Sequence, residues 1–206
     1  MILEGIVTTV GAGDRLNVAP MGPLVEDEPG AGFESLVLRP FKTSRTYANL
    51  KKNPEGVLHV TDDVLLLARA TIGNPDPPTQ PARVVRGRRL VDCCRFFEFR
   101  IERSDDSSDR TTLVARVLHQ EHVRDFFGFN RAKHAVVEAA ILASRVLLLS
   151  REELLGQFDR LRVLVEKTGG PSEQQAFLLL EDHVRTLIAQ RKRDDGIGTP
   201  PARHGQ

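Results

Sequence analysis

The sequence predicts an α+β chain, mainly β over its first two thirds, in which short strands close into a barrel and helices follow at the C-terminal end. Two observations carry this. Up to Leu118, runs of β-branched, aliphatic and aromatic residues are short and separated by Gly, Pro, Asn and Asp clusters, with only one or two helical patterns between them. That spacing suits a barrel better than an alternating α/β sheet. After Phe129 the apolar residues recur at helical spacing instead.

Element by element, Ile2 to Val10 reads as a strand, Gly11-Ala12-Gly13-Asp14 as a turn, and Leu16 to Ala19 as the returning strand. Phe33 to Leu38 is a third strand. Thr43 to Lys52 is a short helix that Thr43 or Ser44 can cap and Asn53-Pro54 ends. Val57 to Thr61 is a strand, and Asp62 or Asp63 caps a helix through Ala70 that Gly73 stops. Asn74-Pro75-Asp76-Pro77-Pro78 is a loop. Val84-Val85 and Leu90 to Glu102 are strand-like, Ser104 to Asp109 is a polar turn, and Thr111 to Leu118 returns. Asn130 to Leu148 is a helix with a face of small residues, Ala132, Ala135, Ala139, Ala140 and Ala143. Ser150 with Glu153 opens the next helix, Gly169-Gly170-Pro171 stops it, and Ser172 with Gln175 opens the last. The expected domains are a barrel over 1–128, a helical region over 129–192 and a disordered tail over 193–206.

Composition narrows the function classes. Of 206 residues, 40% are hydrophobic and 28% charged, as in globular proteins, and the net charge is only +1. Such a balance gives no general attraction to nucleic acid or to an anionic membrane. Arg83 to Arg89 and Arg191 to Arg193 are basic, but no aromatic–basic stacking pattern accompanies them. No apolar run reaches membrane-spanning length, and the N-terminus has no leader pattern, so the expected location is the cytoplasm. Cys93 and Cys94 are adjacent within a strand-like run and are expected to be packed thiols on opposite faces. His119-Gln120-Glu121-His122 lacks metal-ligand spacing and reads as surface, so no metal site is expected. His59 and His134 are isolated.

Two segments carry chemistry. Arg39-Pro40-Phe41-Lys42-Thr43-Ser44-Arg45-Thr46 gathers three cations and three hydroxyls at the start of a helix. A phosphate is bound by cationic charge, hydroxyl donors and the free amides of a helix N-terminus, and this segment offers all three. A solvated, well-capped helix start would look the same. Asn17-Val18-Ala19-Pro20-Met21-Gly22-Pro23 forces an extended run out of the sheet, with Gly22 permitting close approach by a ligand or another chain segment, although on spacing alone an ordinary strand end accounts for it better. In Asn130-Arg131-Ala132-Lys133-His134 the cations stand at a helix N-terminus, where the dipole disfavours them, which points either to a facing anion, a cofactor phosphate or an acidic side chain, or to a tolerated cost.

These two segments, with Met1-Ile2-Leu3-Glu4-Gly5-Ile6-Val7-Thr8-Thr9 and Phe127-Gly128-Phe129-Asn130-Arg131-Ala132-Lys133-His134, resemble the DUF447 family. That family is grouped with the FMN-binding split barrels, which are similar to flavin reductases and pyridoxamine-phosphate oxidases. The resemblance implies a six-stranded Greek-key split barrel, a homodimer and FMN bound near the dimer interface. It also implies site residues. Asn17, Ala19, Pro20, Met21 and Gly22 would line the isoalloxazine ring. Arg39, Lys42, Thr43, Ser44 and Thr46 would compete for the phosphate, and Asn49 would support that loop. The implied activity is that of an oxidoreductase, with a non-catalytic flavin carrier or sensor as the alternative and a nucleic-acid-binding barrel as a weaker one. No residue stands out as a catalytic acid or base.

Overall fold

The computed structural model describes residues 1–26 and 33–197, which group into two units dividing at Phe129 and Asn130. In the first unit, strands β1 (Gly5–Val10) and β2 (Leu16–Met21) form a hairpin. They are followed by β3 (Leu24–Val25), β4 (Ser35–Leu38), helix α1 (Arg45–Lys52), β5 (Glu55–Val60) and helix α2 (Val64–Ile72). A small hairpin of β6 (Thr79–Pro81) and β7 (Arg88–Leu90) precedes the two long strands β8 (Arg95–Asp105) and β9 (Thr112–His122).

The main sheet is antiparallel throughout, in the order β2-β1-β5-β8-β9-β4-β3. Its ends are brought together by the lead-in to β1. Leu3 N–H donates to the Pro23 carbonyl at 3.0 Å and Val25 N–H to the Met1 carbonyl at 2.9 Å, with Ile2 bridging Leu24. This is the expected α+β split barrel, with seven described strands in the main sheet rather than six. The addition is the two-residue β3, too short to read from sequence.

Inside the barrel Val7, Leu36, Leu38, Leu50, Leu58, Phe97, Phe99, Leu113 and Ala115 form one buried cluster, with Phe33 stacked on Phe97 at 4.2 Å. Each large side chain so buried contributes about 1.5–3 kcal/mol. Phe96 and Glu98 point to the opposite face of β8, as strand alternation requires.

Several expectations need correction. The run Leu90 to Glu102 is not one strand. Leu90 N–H is taken by the His59 side chain at 3.0 Å and Val91 N–H by the Pro78 carbonyl at 3.0 Å, so the chain leaves its extended path before β8 begins. Cys93 and Cys94 therefore lie between strands rather than within one, both buried and both free thiols. Val84-Val85 is not a strand either. The polar turn after β8 starts later than expected, and β9 continues to His122.

The second unit holds α3 (Arg131–Ala143), α4 (Arg151–Thr168) and α5 (Pro171–Ile197). Caps set the first two starts: Asn130 Oδ1 accepts from Lys133 N–H at 3.1 Å, and Ser150 Oγ from Glu153 N–H at 3.2 Å. The third opens on Pro171, one residue before the expected cap, with the Glu173 carboxylate reaching back to Gly170 N–H at 2.9 Å. The small residues of α3 are all buried, which permits close helix packing. Lys133 at its N-terminus meets the Glu173 carboxylate at 3.0 Å, the facing acidic group that the misplaced cations called for. Phe158 and Phe177 pack together at 5.5 Å. The buried Glu181 accepts from Arg162 and, at 2.6 Å, from Arg185. The last helix reaches Ile197, past the expected boundary at 192, while residues 198–206 of the expected tail lie outside the described residues. No helix among the described residues is long and apolar enough to cross a membrane.

Candidate functional site

The Arg39–Asn49 segment begins where β4 ends and turns into α1. Ser44 is its N-cap, in extended conformation, with its Oγ accepting from Tyr47 N–H at 3.2 Å. That bond satisfies the third amide of the helix and leaves the amides of Arg45 and Thr46 without intrahelical acceptors. The first turn contains no carboxylate, and Lys51 and Lys52 lie in the last turn. The N-terminal end of α1 thus carries the positive end of the helix dipole without a neutralising acidic side chain of its own.

The approach to this turn is held from one side by the β8–β9 hairpin end. Lys42 N–H donates to the Asp109 carbonyl at 3.3 Å, Thr111 N–H to the Pro40 carbonyl at 3.2 Å, and Arg110 lies over the Phe41 ring at 4.2 Å. Asp106 is the hub of the contact. It accepts from Thr111, from Lys51 at 2.9 Å and from Tyr47 Oη at 3.3 Å, and its backbone carbonyl accepts from Lys42 Nζ. The Thr111 hydroxyl and Lys51 together hold the Asp106 carboxyl below its ordinary range, and the same contact raises Lys51.

On the other side, four polar residues join α1 to the first hairpin. Asn17 Nδ2 donates to Thr9 Oγ1 at 3.3 Å and to Thr46 Oγ1 at 3.1 Å, and Asn49 Nδ2 donates to Thr9 Oγ1 at 3.0 Å. Thr9, Asn17 and Thr46 are buried. The strand register places Thr9 opposite Asn17.

The residues named from sequence therefore divide. Arg39, Lys42 and Thr43 are exposed at the turn, together with Arg45, to which the resemblance assigned no role. Ser44 is committed to the helix cap, and Thr46 and Asn17 to the buried node. An amide nitrogen has two N–H donors, and Asn17 spends both inside the protein. Asn49 joins the same node rather than the exposed face.

Ala19, Pro20 and Met21 form the second half of β2, and Gly22 follows it directly. Among the described strands this one pairs with β1 alone and stands at one end of the sheet order. The first half of its other edge is covered by Asn74, whose Oδ1 accepts from Val18 N–H at 3.1 Å and whose Nδ2 donates to the Leu16 carbonyl at 3.3 Å. By strand alternation Pro20 faces the same edge, without an N–H to offer. Met21 packs its half-buried side chain against the barrel core. A Cβ on Gly22 would stand 2.8 Å from Ile2 Cγ2 and 3.0 Å from Glu4 Oε1, so the close approach that this glycine permits is by the lead-in to β1.

Two cavities lie elsewhere in the chain. One of about 590 Å³ is lined within the helical unit by Glu138, Leu142, Glu153, Gln157 and Arg160, among others. Another of about 570 Å³ is lined in the barrel unit by Glu26, Phe33, Glu34, Ser35, Glu102 and Arg116. Among the described residues, the Arg39–Asn49 turn and the β2 edge present an open face.

Sequence reading missed Thr9, Asn74 and Glu98. Thr9 had a signal: it falls on the same inward face as Val7, where a hydroxyl needs a partner. Asn74 and Glu98 had none, because their partners are backbone groups 56 and 13–15 residues away.

No curated protein matches the chain. Among solved structures, the FMN-bound DUF447 protein from Methanosarcina mazei superposes with a TM-score of 0.77 at 23% identity, over 88% of this chain and 94% of that one. At this identity the likeness establishes a shared fold. The 2-nitrobenzoate 2-nitroreductase of Pseudomonas fluorescens scores 0.49 at 14% identity, over 58% of this chain and 64% of its own. Component B of nitrilotriacetate monooxygenase from Bacillus cereus scores 0.49 at 18%, over 61% and 71%. The N-terminal domain model of the protein of unknown function DUF447 matches residues 3–124, and the companion DUF447 model matches residues 130–182. With both parts of that model matched in order along most of its length, the chain belongs to the DUF447 family.

Proposed function

We propose that the barrel unit binds FMN without covalent attachment, its phosphate at the N-terminal turn of α1 and its ring along the outer edge of β2, and that the protein is a flavoprotein oxidoreductase. The observation that carries this reading is the donor set at one turn: Arg39, Lys42 and Arg45 as cations, Thr43 as a hydroxyl, and two helix amides without intrahelical partners. This set fits a phosphate monoester, which only accepts hydrogen bonds and carries charge. The FMN-bound family member from Methanosarcina mazei, with the same fold, supports the choice of FMN among phosphorylated ligands.

In this assignment Arg39, Lys42, Arg45 and Thr43 grip the phosphate, and the backbone of Ala19 to Gly22 orients the ring. Asn17, Thr46 and Asn49 hold the two parts in place rather than touching the ligand. Lys42 releases the Asp106 carbonyl when it turns to the phosphate. The bound flavin would supply the hydride and electron transfer, and the protein the binding, orientation and tuning. We further propose a homodimer with the site near its interface. A strand edge desolvates only one side of a flat ring, and a second subunit would cover the other. The nominated residues are cations, hydroxyls, amides and backbone, with no carboxylate or imidazole among them. That absence favours a flavin carrier or sensor as the second reading.

The absorption spectrum of the purified protein, and titration with FMN, test the binding. Arg39→Ala should weaken FMN binding by about 1.5–3 kcal/mol, the worth of a hydrogen bond to a charged group. Unchanged affinity would remove the phosphate assignment. Anaerobic mixing with NADH or NADPH separates the enzyme from the carrier. Bleaching of the flavin followed by acceptor-dependent recovery supports the enzyme, and inertness toward both donors and a panel of acceptors supports the carrier.

A further inference from the structure

We infer that Thr9, on the strand before the candidate site, is a positioning residue that fixes the phosphate-gripping turn relative to the ring-bearing strand; this rests on the FMN reading above.

The proposed phosphate turn belongs to α1 and the proposed ring edge to β2, and no strand pairing connects them. A ligand that spans both is bound well only when their spacing is fixed beforehand, because ordering them on binding subtracts from affinity. The connection is a small hydrogen-bonded node with Thr9 Oγ1 at its centre. Thr9 Oγ1 accepts from Asn17 of β2 and from Asn49 of α1, at 3.3 and 3.0 Å. Asn17 also donates to Thr46, in the first turn of α1, at 3.1 Å. Thr9 is fully buried, and both bonds of Asn17 are buried, while that of Asn49 is partly so.

A second observation bears on the same contact. A Cβ on Gly11 would lie 2.7 Å from Asn49 Oδ1. The Asn49 amide therefore fills the space that a side chain at position 11 would take, and the turn after β1 is shaped around it. Both Thr9 and Gly11 act on Asn49 from β1 or the turn that follows, and neither is exposed to the proposed ligand surface. Replacing Thr9 with valine keeps the shape, removes the acceptor and leaves two amide donors without it, the buried one of Asn17 and the half-buried one of Asn49.

The expected signature separates positioning from general damage. Riboflavin carries the ring without the phosphate, so it senses β2 but not the grip. Fluorescence titration with FMN and with riboflavin should show Thr9→Val losing about tenfold in FMN affinity, with riboflavin affinity unchanged. Thr9→Ser keeps the oxygen and should restore the FMN value. Gly11→Ala, which displaces Asn49 by crowding, should show the same selective loss and carries the test if Thr9→Val does not fold. Wild-type FMN affinity in Thr9→Val, or in Gly11→Ala when that variant carries the test, would overturn the inference while leaving the FMN reading intact. So would equal loss of FMN and riboflavin in folded variants. Wild-type protein that takes up no FMN overturns the FMN reading, and the inference with it.

Discussion

His59 shows how one buried side chain can stand in for sheet pairing. It is fully buried, its Nδ1–H donates to the Ile6 carbonyl at 3.1 Å, and its Nε2 accepts from Leu90 N–H at 3.0 Å. A carbonyl cannot donate and an amide cannot accept, so the tautomer is fixed and the ring is neutral. Burial is the main reason its pKa is lowered to about 4, with Arg89 adding to the effect against the pull of the Ile6 carbonyl. In the unfolded chain the ring titrates near 6.5. Between these values the unfolded state binds the extra proton, so the stability from neutral His59 is complete above about 6.5 and is lost as pH falls toward 4. Melting temperatures across that window should fall with acidification in wild-type protein and fall less in His59→Leu. That variant also takes from the buried Leu90 amide its side-chain acceptor, at a cost of about 1–3 kcal/mol in urea unfolding. An identical acid slope in both proteins would show that His59 is not the group responsible.

At the scale of elements, the β6–β7 hairpin is held by a carboxylate rather than by apolar packing alone. Glu98 on β8 is fully buried and accepts from three consecutive amides, Arg83 and Val84 at 2.7 Å and Val85 at 3.1 Å. Glu55 does the same for Arg86 N–H at 2.5 Å while pairing with Arg100 at 2.6 Å. The segment read from sequence as a basic patch is thus a loop whose backbone is organised around acidic side chains. Glu98→Gln puts an N–H donor against an N–H donor on one side of the group. It should cost about 1–3 kcal/mol and speed hydrogen exchange at Arg83, Val84 and Val85. Unchanged exchange at those three amides would mean the loop is held by something else. The elements that sequence placed well are those with local signals: the Ser44 and Asp63 caps, the stops at Asn53 and Gly73, and the small-residue face of α3. Those it misplaced, Val84-Val85 and the split before β8, depend on distant partners, Glu98 in one case and His59 in the other.

For the whole molecule the open question of chemistry becomes one of assembly. A ring bound at the proposed face exposes one side unless a second subunit covers it. Analytical ultracentrifugation should find a dimer, and FMN affinity should fall at concentrations where the dimer dissociates. A monomer that binds FMN with undiminished affinity would refute the proposed interface site. What the sequence determined by itself was the succession of strands and helices, the family, and the turn rich in cations and hydroxyls, because each is written in residues close together along the chain. Which of those polar residues face outward and which are consumed inside was decided only by folding. Thr9, Asn17, Thr46 and Asn49 are brought together from β1, β2 and α1, and a hydrogen bond across 29 or 40 residues leaves no local trace in the sequence.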